Sequence, residues 1–264
     1  MKITFLEAVV PLTKTFSLEN GVLTKTGHPR VIDCTSHVEE FESIEELFEH
    51  LKRHAVLGRS MLKGNVNRKL IMESRAGSTD PNAPTRVLLL DLDGVKDVDT
   101  VERFLKLLGL DDVDYVVQYS CSMGVIPSRG ISAHILILLS SEKAPAILKQ
   151  WLMHQNLTIP VLRNNIGLTR TNNALRWTLD VSTCQNDKLI YIAPPILGPG
   201  VVDSWTGDRI QLVKKTQRTT DLPGVVPSAE ANRISAEKVL NELRDHGGLP
   251  KKKHSSLKSQ GPIE

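Results

Sequence analysis

The chain of 264 residues is 40% hydrophobic and 24% charged, an ordinary globular composition with enough length for one large domain or two small ones. The sequence has no apolar run near the ~20 residues of a membrane-spanning helix and no convincing signal peptide, which favours an intracellular, cytoplasmic protein without a membrane partner. Its three cysteines lie far apart without a CxxC pair, which argues against a disulfide framework and against a zinc site built from neighbouring residues.

The net charge of +3 is unevenly distributed along the chain. From Gln211 onward there are ten basic and six acidic residues, which leaves 23 basic and 24 acidic residues before that point. A body with almost no net charge cannot hold a polyanion by bulk electrostatics. Any contact with nucleic acid must therefore come from a local patch or from the basic tail.

The first third of the chain predicts short strands and one helix. Strands are predicted at residues 2–10, 22–25 and 29–34. The helix is predicted to begin after Ser43, an N-cap with Glu46 three residues later as its capping-box partner, and to end before Gly58. Residues 64–85 are polar and predict irregular chain.

Residues 87–97, VLLLDLDGVKD, combine a buried strand with two carboxylates. Because side chains in a strand alternate between faces, Asp91 and Asp93 are expected to project together at the strand exit. Neighbouring carboxylates repel each other unless a cation lies between them, and Mg²⁺ and Mn²⁺ accept such oxygen ligands together with phosphate oxygens. The pair predicts half of a phosphoryl-transfer site, with an Asp-Gly turn after a core strand as the structural alternative.

Further signals follow a helix predicted at residues 99–108. Strands are predicted at 115–119 and 131–140, and a helix at 144–155. Ser132 and His134 lie two residues apart in the second strand, hence on one face, where a hydroxyl and an imidazole suit phosphate oxygens. Asp180 ends the segment LRWTLD and predicts a strand end with a third carboxylate. A structural histidine and a turn-capping aspartate are the alternatives for these two positions.

The rest of the chain predicts two short strands, a linker, a helix and a tail. The strands are expected at residues 188–192 and 210–213. Residues 216–227 are predicted to form a linker. Ser228 is predicted to be the N-cap of a helix that ends at about residue 245, and the residues after this helix are predicted to be a disordered basic tail. The hydrophilic ending predicts that residues 228–264 lead into a further domain of a longer protein.

Together the motifs have a distinctive order: hhhDhD, then S-x-H at the start of an apolar strand, then hD, here VLLLDLD, SAH and LD. This order resembles the archaeo-eukaryotic primase superfamily. With DKLIYIAPP just after the third motif, the chain looks most like the primase-polymerases of phages and plasmids. The resemblance covers about residues 86–195.

The resemblance implies an α+β fold: a primase-polymerase core with a mixed or antiparallel sheet flanked by helices, within a catalytic domain of residues 1–215. It implies that Asp91, Asp93 and Asp180 bind two Mg²⁺ or Mn²⁺ ions and that Ser132 and His134 contact the triphosphate. It also implies a nucleotide pocket lined by Ser120, Ser122 and Arg129. Candidates for template or γ-phosphate contacts, each with a solvated polar connection as the alternative, are Arg163, Arg170, Arg176 and Lys188.

The function implied by the resemblance is template-directed nucleotidyl transfer on single-stranded DNA, as primer synthesis or DNA polymerisation in replication. Nucleoside triphosphates are the implied substrates, and the implied mechanism uses two metal ions. A helicase, as a further domain or as a separate replicative helicase, is the implied partner. The host cytoplasm is the expected location if the protein is encoded by a phage.

Two other functions remain open. The sequence DLDGV also resembles the nucleophile motif of haloacid-dehalogenase-type phosphatases, in which Asp91 would be phosphorylated and Asp93 would act as acid and base. Against this, Lys96 stands where an apolar residue is expected, the motif lies far into the chain, and no later GDxxxD pair is found. The third alternative is a non-catalytic module that binds nucleic acid or a replication partner and needs no metal.

Overall fold

The computed structural model describes residues 1–29, 32–95, 97–126 and 130–249, which form a mixed α+β protein, as predicted. The helices are α1 (Ile44–Val56), α2 (Val101–Leu107), α3 (Pro145–Thr158), α4 (Pro160–Asn164) and α5 (Ala229–His246), with a short 3-10 helix at Val181–Cys184. Within the described ranges, no helix has both the length and the apolar content that crossing a membrane requires.

The remaining regular structure of the described residues consists of strands, most of them short and two of them long. They are β1 (Lys2–Glu7), β2 (Thr15–Glu19), β3 (Val22–Thr26), β4 (Asp33–Glu40), β5 (Ser60–Leu62), β6 (Glu73–Ser74), β7 (Thr85–Val95), β8 (Tyr115–Tyr119), β9 (Ile131–Lys143), β10 (Gly167–Leu168), β11 (Leu175–Arg176), β12 (Leu189–Tyr191), β13 (Ile196–Leu197) and β14 (Ile210–Val213).

The strands with the first two motifs belong to an antiparallel sheet in the order β14-β8-β9-β7. One face of this sheet, with Leu88 and Leu90, is buried against α2 and α3. The other face, with Val87 and Leu89, is buried against β1 and α1. Since side chains alternate along β7, the second face continues into the carboxylates that follow.

A second sheet, in the order β12-β5-β1-β4-β6, contributes β1, Met61 and Ile190 to the core on that second face. A third sheet consists of the β2–β3 hairpin with β13 paired to β2. The hairpin is only partly predicted: β3 was expected, whereas β2 was missed although Phe16 and Leu18 alternate with polar residues in TFSLE. The gap between the first two sheets, bordered by this hairpin, holds the candidate site.

Several predicted boundaries differ from the structure. The strand expected at 29–34 begins only at Asp33, and residues 30 and 31 lie outside the described ranges. Strand β9 continues to Lys143, beyond the expected end at residue 140. Helix α3 then begins at Pro145, which lacks an N–H and therefore suits the first helical position.

The predicted serine caps are confirmed. The hydroxyls of Ser43 and Ser228 accept hydrogen bonds from the N–H groups of Glu46 and Ala231, each at 3.2 Å. The Glu46 carboxylate accepts from the N–H of Glu42 at 2.8 Å, one residue before the position that a capping box predicts.

Residues 216–227, predicted as a linker, run along the first sheet. The N–H of Ser140 donates to the Thr220 carbonyl at 2.7 Å, and the N–H of Thr220 donates to the Leu138 carbonyl at 3.2 Å. The indole N–H of Trp151 donates to the Pro223 carbonyl at 2.9 Å. These bonds hold the segment before α5 against β9 and α3.

His54 of α1 is buried and stacks on Phe5, with ring centroids 3.8 Å apart. Its Nε2–H donates to Glu39 at 2.9 Å and its Nδ1 accepts from Arg59 at 3.2 Å, which suits a neutral ring. Burial lowers the pKa of His54 to about 4. The guanidinium of Arg59 lowers this pKa further, and the opposing effect of Glu39 is weaker than burial.

Candidate active site

Four of the predicted side chains lie side by side on β7 and β9. The antiparallel register sets Asp91 opposite His134 and Asp93 opposite Ser132. Strand β7 runs on to Val95, so the carboxylates lie within the strand and not at its exit as predicted. A bulge at Gly94, with φ +73°, lets its N–H donate to Ser132 Oγ at 2.9 Å.

Gln118 of β8 fixes the orientation of His134. It is buried and lies opposite His134 in the register of β8 and β9. Its Nε2 donates to the Tyr119 carbonyl at 2.7 Å, so its Oε1 accepts from the Nδ1–H of His134 at 2.5 Å. The Nε2 atom of His134 then faces Asp91, 3.5 Å from Oδ1.

The carboxyl group of Asp91 is half-buried beside positive charges. Burial alone would raise its pKa, but the charges of His134, Lys188 and Lys14 act in the opposite direction and outweigh burial. The pKa of Asp91 therefore lies below its usual range. At neutral pH the side chain is ionised and presents a negative charge to the cleft.

Asp180 reaches the same place from a different element. Its N–H donates to the Asp91 carbonyl at 3.1 Å, and Leu179 forms an isolated bridge with Leu92. The prediction of a strand ending at Asp180 is wrong, because only Leu175–Arg176 of that segment is a strand. Asp180 is the N-cap of the 3-10 helix, and its carboxylate starts that helix by accepting from a backbone N–H.

Lys188 pairs with this third carboxylate. Its Nζ lies 2.7 Å from Oδ2 of Asp180 and 2.7 Å from the hydroxyl of Ser182. The other carboxylate oxygen, Oδ1, accepts from the N–H of Ser182 at 2.8 Å. Lys188, predicted as a phosphate contact, therefore borders the carboxylates directly.

These side chains line a cleft of about 520 Å³. The lining also contains several basic and aromatic side chains. The basic and aromatic side chains are Lys14, Lys25, His28, Arg176, Trp177, Lys188 and Tyr191. One cleft thus brings together the predicted carboxylates and a set of cations.

His28 adds a flat, uncharged surface to this lining. It stacks on Tyr191 with ring centroids 3.4 Å apart. Burial, followed by the charges of Lys14, His134 and Lys25, lowers the pKa of His28 to about 4. The ring is therefore neutral at pH 7, and the positive charge that the β2–β3 hairpin contributes to the cleft comes from its lysines.

The loop after β8 is placed at the cleft, with its two serines in different positions. Ser120 lines the cleft, whereas Ser122 is buried behind it with the two hydroxyl oxygens 2.9 Å apart. Arg209 holds the loop by donating to the carbonyls of Ser120 and Met123, each at 2.8 Å. Arg129, predicted to line the nucleotide pocket, lies outside the described residues.

The predicted phosphate-binding arginines are spread over different surroundings. Arg176 lines the cleft. Arg163 lies elsewhere and pairs with Glu242 of α5 at 3.0 Å. Arg170 is exposed in the turn between β10 and β11. Of these three arginines, the structure therefore brings only Arg176 to the carboxylates.

The carboxylates supply the oxygen ligands that Mg²⁺ and Mn²⁺ accept. Among the described residues, no three His, Cys, Asp or Glu side chains are arranged to hold a metal ion. The carboxylate oxygens of Asp180 are bonded to Ser182 and Lys188. To hold divalent cations together, these carboxylates would have to move closer to one another, and Lys188 would have to leave Asp180.

Sequence reasoning missed the residues that reach the cleft from far along the chain. Lys14, Lys25 and His28 precede β7 by about 60 residues or more, and no local pattern links them to it. Gln118 gave a weak signal, as a polar residue within the apolar strand YVVQY.

Comparison with protein-family models, with curated proteins and with solved structures returned no match to this chain.

Proposed function

We propose that this cleft catalyses template-directed nucleotidyl transfer on single-stranded DNA, with nucleoside triphosphates as substrates and Mg²⁺ or Mn²⁺ as cofactors. The observation that supports this most strongly is the sharing of one cleft by the carboxylates of Asp91 and Asp93 and the ammonium groups of Lys14, Lys25 and Lys188. Carboxylates suit divalent cations, and ammonium groups suit the phosphates that those cations also bind.

Each side chain has a role in this proposal. Asp91, Asp93 and Asp180 would hold two ions, which would supply activation of the attacking 3′-hydroxyl and stabilisation of the leaving pyrophosphate. His134 binds a triphosphate oxygen through Nε2, because its other nitrogen is committed to Gln118. The hydroxyl of Ser132, in the cleft beside Asp93, is a second contact to the same phosphates.

The charge distribution is consistent with this function. The first 210 residues are close to neutral, so the body exerts no bulk attraction on DNA. Lys14, Lys25 and Arg176 concentrate positive charge at the cleft, where a template or nucleotide phosphate would lie. The proposal includes a role in DNA replication with a helicase as partner, either as a further domain or as a separate protein.

The test is incubation of the protein with unprimed and primed single-stranded DNA, labelled nucleotides and either metal. Ribonucleotides and deoxyribonucleotides are supplied in separate reactions, and a reaction with EDTA is the control. The proposal predicts oligonucleotide products that require both template and metal. If no product forms on either template with either metal, the proposed function is wrong.

A further inference from the structure

We infer that Asn156 is the residue that positions Asp180 for the reaction, an inference that takes the proposed role of Asp180 as given. Asn156 lies on α3, is fully buried and is not part of the cleft lining. It therefore acts only through the residues that it holds.

The segment that carries Asp180 is not held by a sheet. Between β11 and the 3-10 helix, its described pairing with another strand is the single bridge from Leu179 to Leu92. Leu179 itself is buried. Its backbone N–H and carbonyl therefore need partners other than water.

The side-chain amide of Asn156 supplies both partners. Its Nδ2 donates to the Leu179 carbonyl and its Oδ1 accepts from the Leu179 N–H, each at 2.9 Å. Nδ2 also donates to the Leu152 carbonyl at 2.9 Å, which fixes the amide on α3. Asn156 thus gives the backbone of Leu179 the two hydrogen bonds that a neighbouring strand would otherwise provide.

This pairing sets the third carboxylate relative to the first. Asp180 follows Leu179 directly, and its N–H donates to the Asp91 carbonyl at 3.1 Å. A leucine at position 156 has a similar volume but leaves both backbone groups of Leu179 unpaired. The hydrogen bond from the Asp180 N–H to the Asp91 carbonyl then loses the neighbouring bonds that keep these two groups aligned.

The test compares Asn156→Leu with Asn232→Leu. Asn232, on α5, also has a buried side-chain amide. It donates to the backbone carbonyl and to the side-chain oxygen of Gln150 on α3, each at 2.9 Å. Its replacement removes a comparable set of bonds from α3 without touching Leu179. Asn156→Ser, whose hydroxyl is too short to bridge Leu179, serves if the leucine variant does not fold.

The first readout is hydrogen exchange of the Asp180 amide, measured by NMR without metal. We expect exchange about tenfold faster in the Asn156 variant than in the Asn232 control. The second readout is nucleotide addition, for which kcat should fall about tenfold in the Asn156 variant while KM for the nucleotide changes less than about twofold, because His134 and Ser132 stay in place.

Unchanged exchange at Asp180 would overturn the inference whatever the activity. Faster exchange with an unchanged kcat would overturn it as well, because the position of Asp180 would not matter to the reaction. If the wild-type protein adds no nucleotide, the proposed function fails, and the exchange measurement still decides whether Asn156 holds Asp180.

Discussion

Replacing His134 by alanine should weaken nucleotide binding by a predictable amount. The Nδ1–H of His134 is bonded to Gln118, so Nε2 is the nitrogen that can reach a ligand. With Nδ1–H donated to Gln118, Nε2 donates to a phosphate oxygen from the imidazolium form, and such a charge-assisted hydrogen bond is worth about 1.5–3 kcal/mol. Its loss predicts that the nucleotide concentration for half-maximal synthesis rises about ten- to a hundredfold. Metal binding should persist, because all three carboxylates remain.

The assay is steady-state nucleotide addition at increasing nucleotide concentration. The control is His154→Ala, which removes a histidine of α3 that does not line the cleft. Alanine at position 134 also leaves the buried Oε1 of Gln118 without its partner, so a loss of stability is expected. Both variants are therefore compared at a temperature at which thermal melting shows them folded.

Two results would refute this reasoning. The first is an unchanged half-saturating nucleotide concentration in His134→Ala. The second is a phosphatase activity insensitive to that substitution, together with a beryllium fluoride adduct trapped on Asp91. The second result would establish Asp91 as a nucleophile and favour the haloacid-dehalogenase alternative.

Three further predictions concern the tail, the cleft lysines and a buried histidine. Ending the chain after Gly248 removes the basic tail, which lies beyond the described residues. Binding to single-stranded DNA should then weaken evenly across sequences and depend less steeply on salt concentration. An unchanged salt dependence would show that the tail makes no phosphate contact. Replacing Lys14 and Lys25 together by glutamine should raise the half-saturating nucleotide concentration about tenfold. The same replacement of Lys69, which is exposed and outside the cleft, should leave that concentration unchanged. Equal effects would contradict the assignment of Lys14 and Lys25 as phosphate contacts. The folded pKa of His54 is about 4 against 6.5 when unfolded, so its contribution to stability, about 3 kcal/mol, is complete above pH 6.5 and is lost as the pH falls towards 4. His54→Gln should reduce the acid-induced fall in melting temperature, and an equal fall in both proteins would contradict the neutral assignment.

Local periodicity was sufficient to place Asp91 and Asp93 on one face of a strand, but not to show that the strand continues past them to Val95. The alternation of residues 87–93 predicts that Asp91 and Asp93 share a face, because the two-residue period of a strand depends only on the chain itself. The pairing of Asp91 with His134 depends on the register between two strands, which no local pattern specifies. The order of the motifs suggested that their side chains lie at one site, and the register shows which side chains of β7 and β9 are neighbours.

The errors around Asp180 have a tertiary cause. The segment LRWTLD alternates like a strand, yet most of it has no strand beside it in the described structure. Asn156 replaces the missing neighbour from a helix, and one asparagine among the several polar residues of α3 gives no sign of that role. Lys14 and Lys25 were missed for a similar reason, since only the folded chain brings their hairpin to the cleft.

The most direct test of the account is nucleotide addition by Asp91→Asn and Asp93→Asn in Mg²⁺ and in Mn²⁺. Asn keeps the shape of each side chain and removes the charge that attracts a divalent cation. The control is Asp187→Asn, an exposed aspartate outside the cleft. The account predicts that synthesis is abolished in both cleft variants and retained in the control, with all three proteins folded. Near-normal synthesis by either cleft variant with both metals would contradict it.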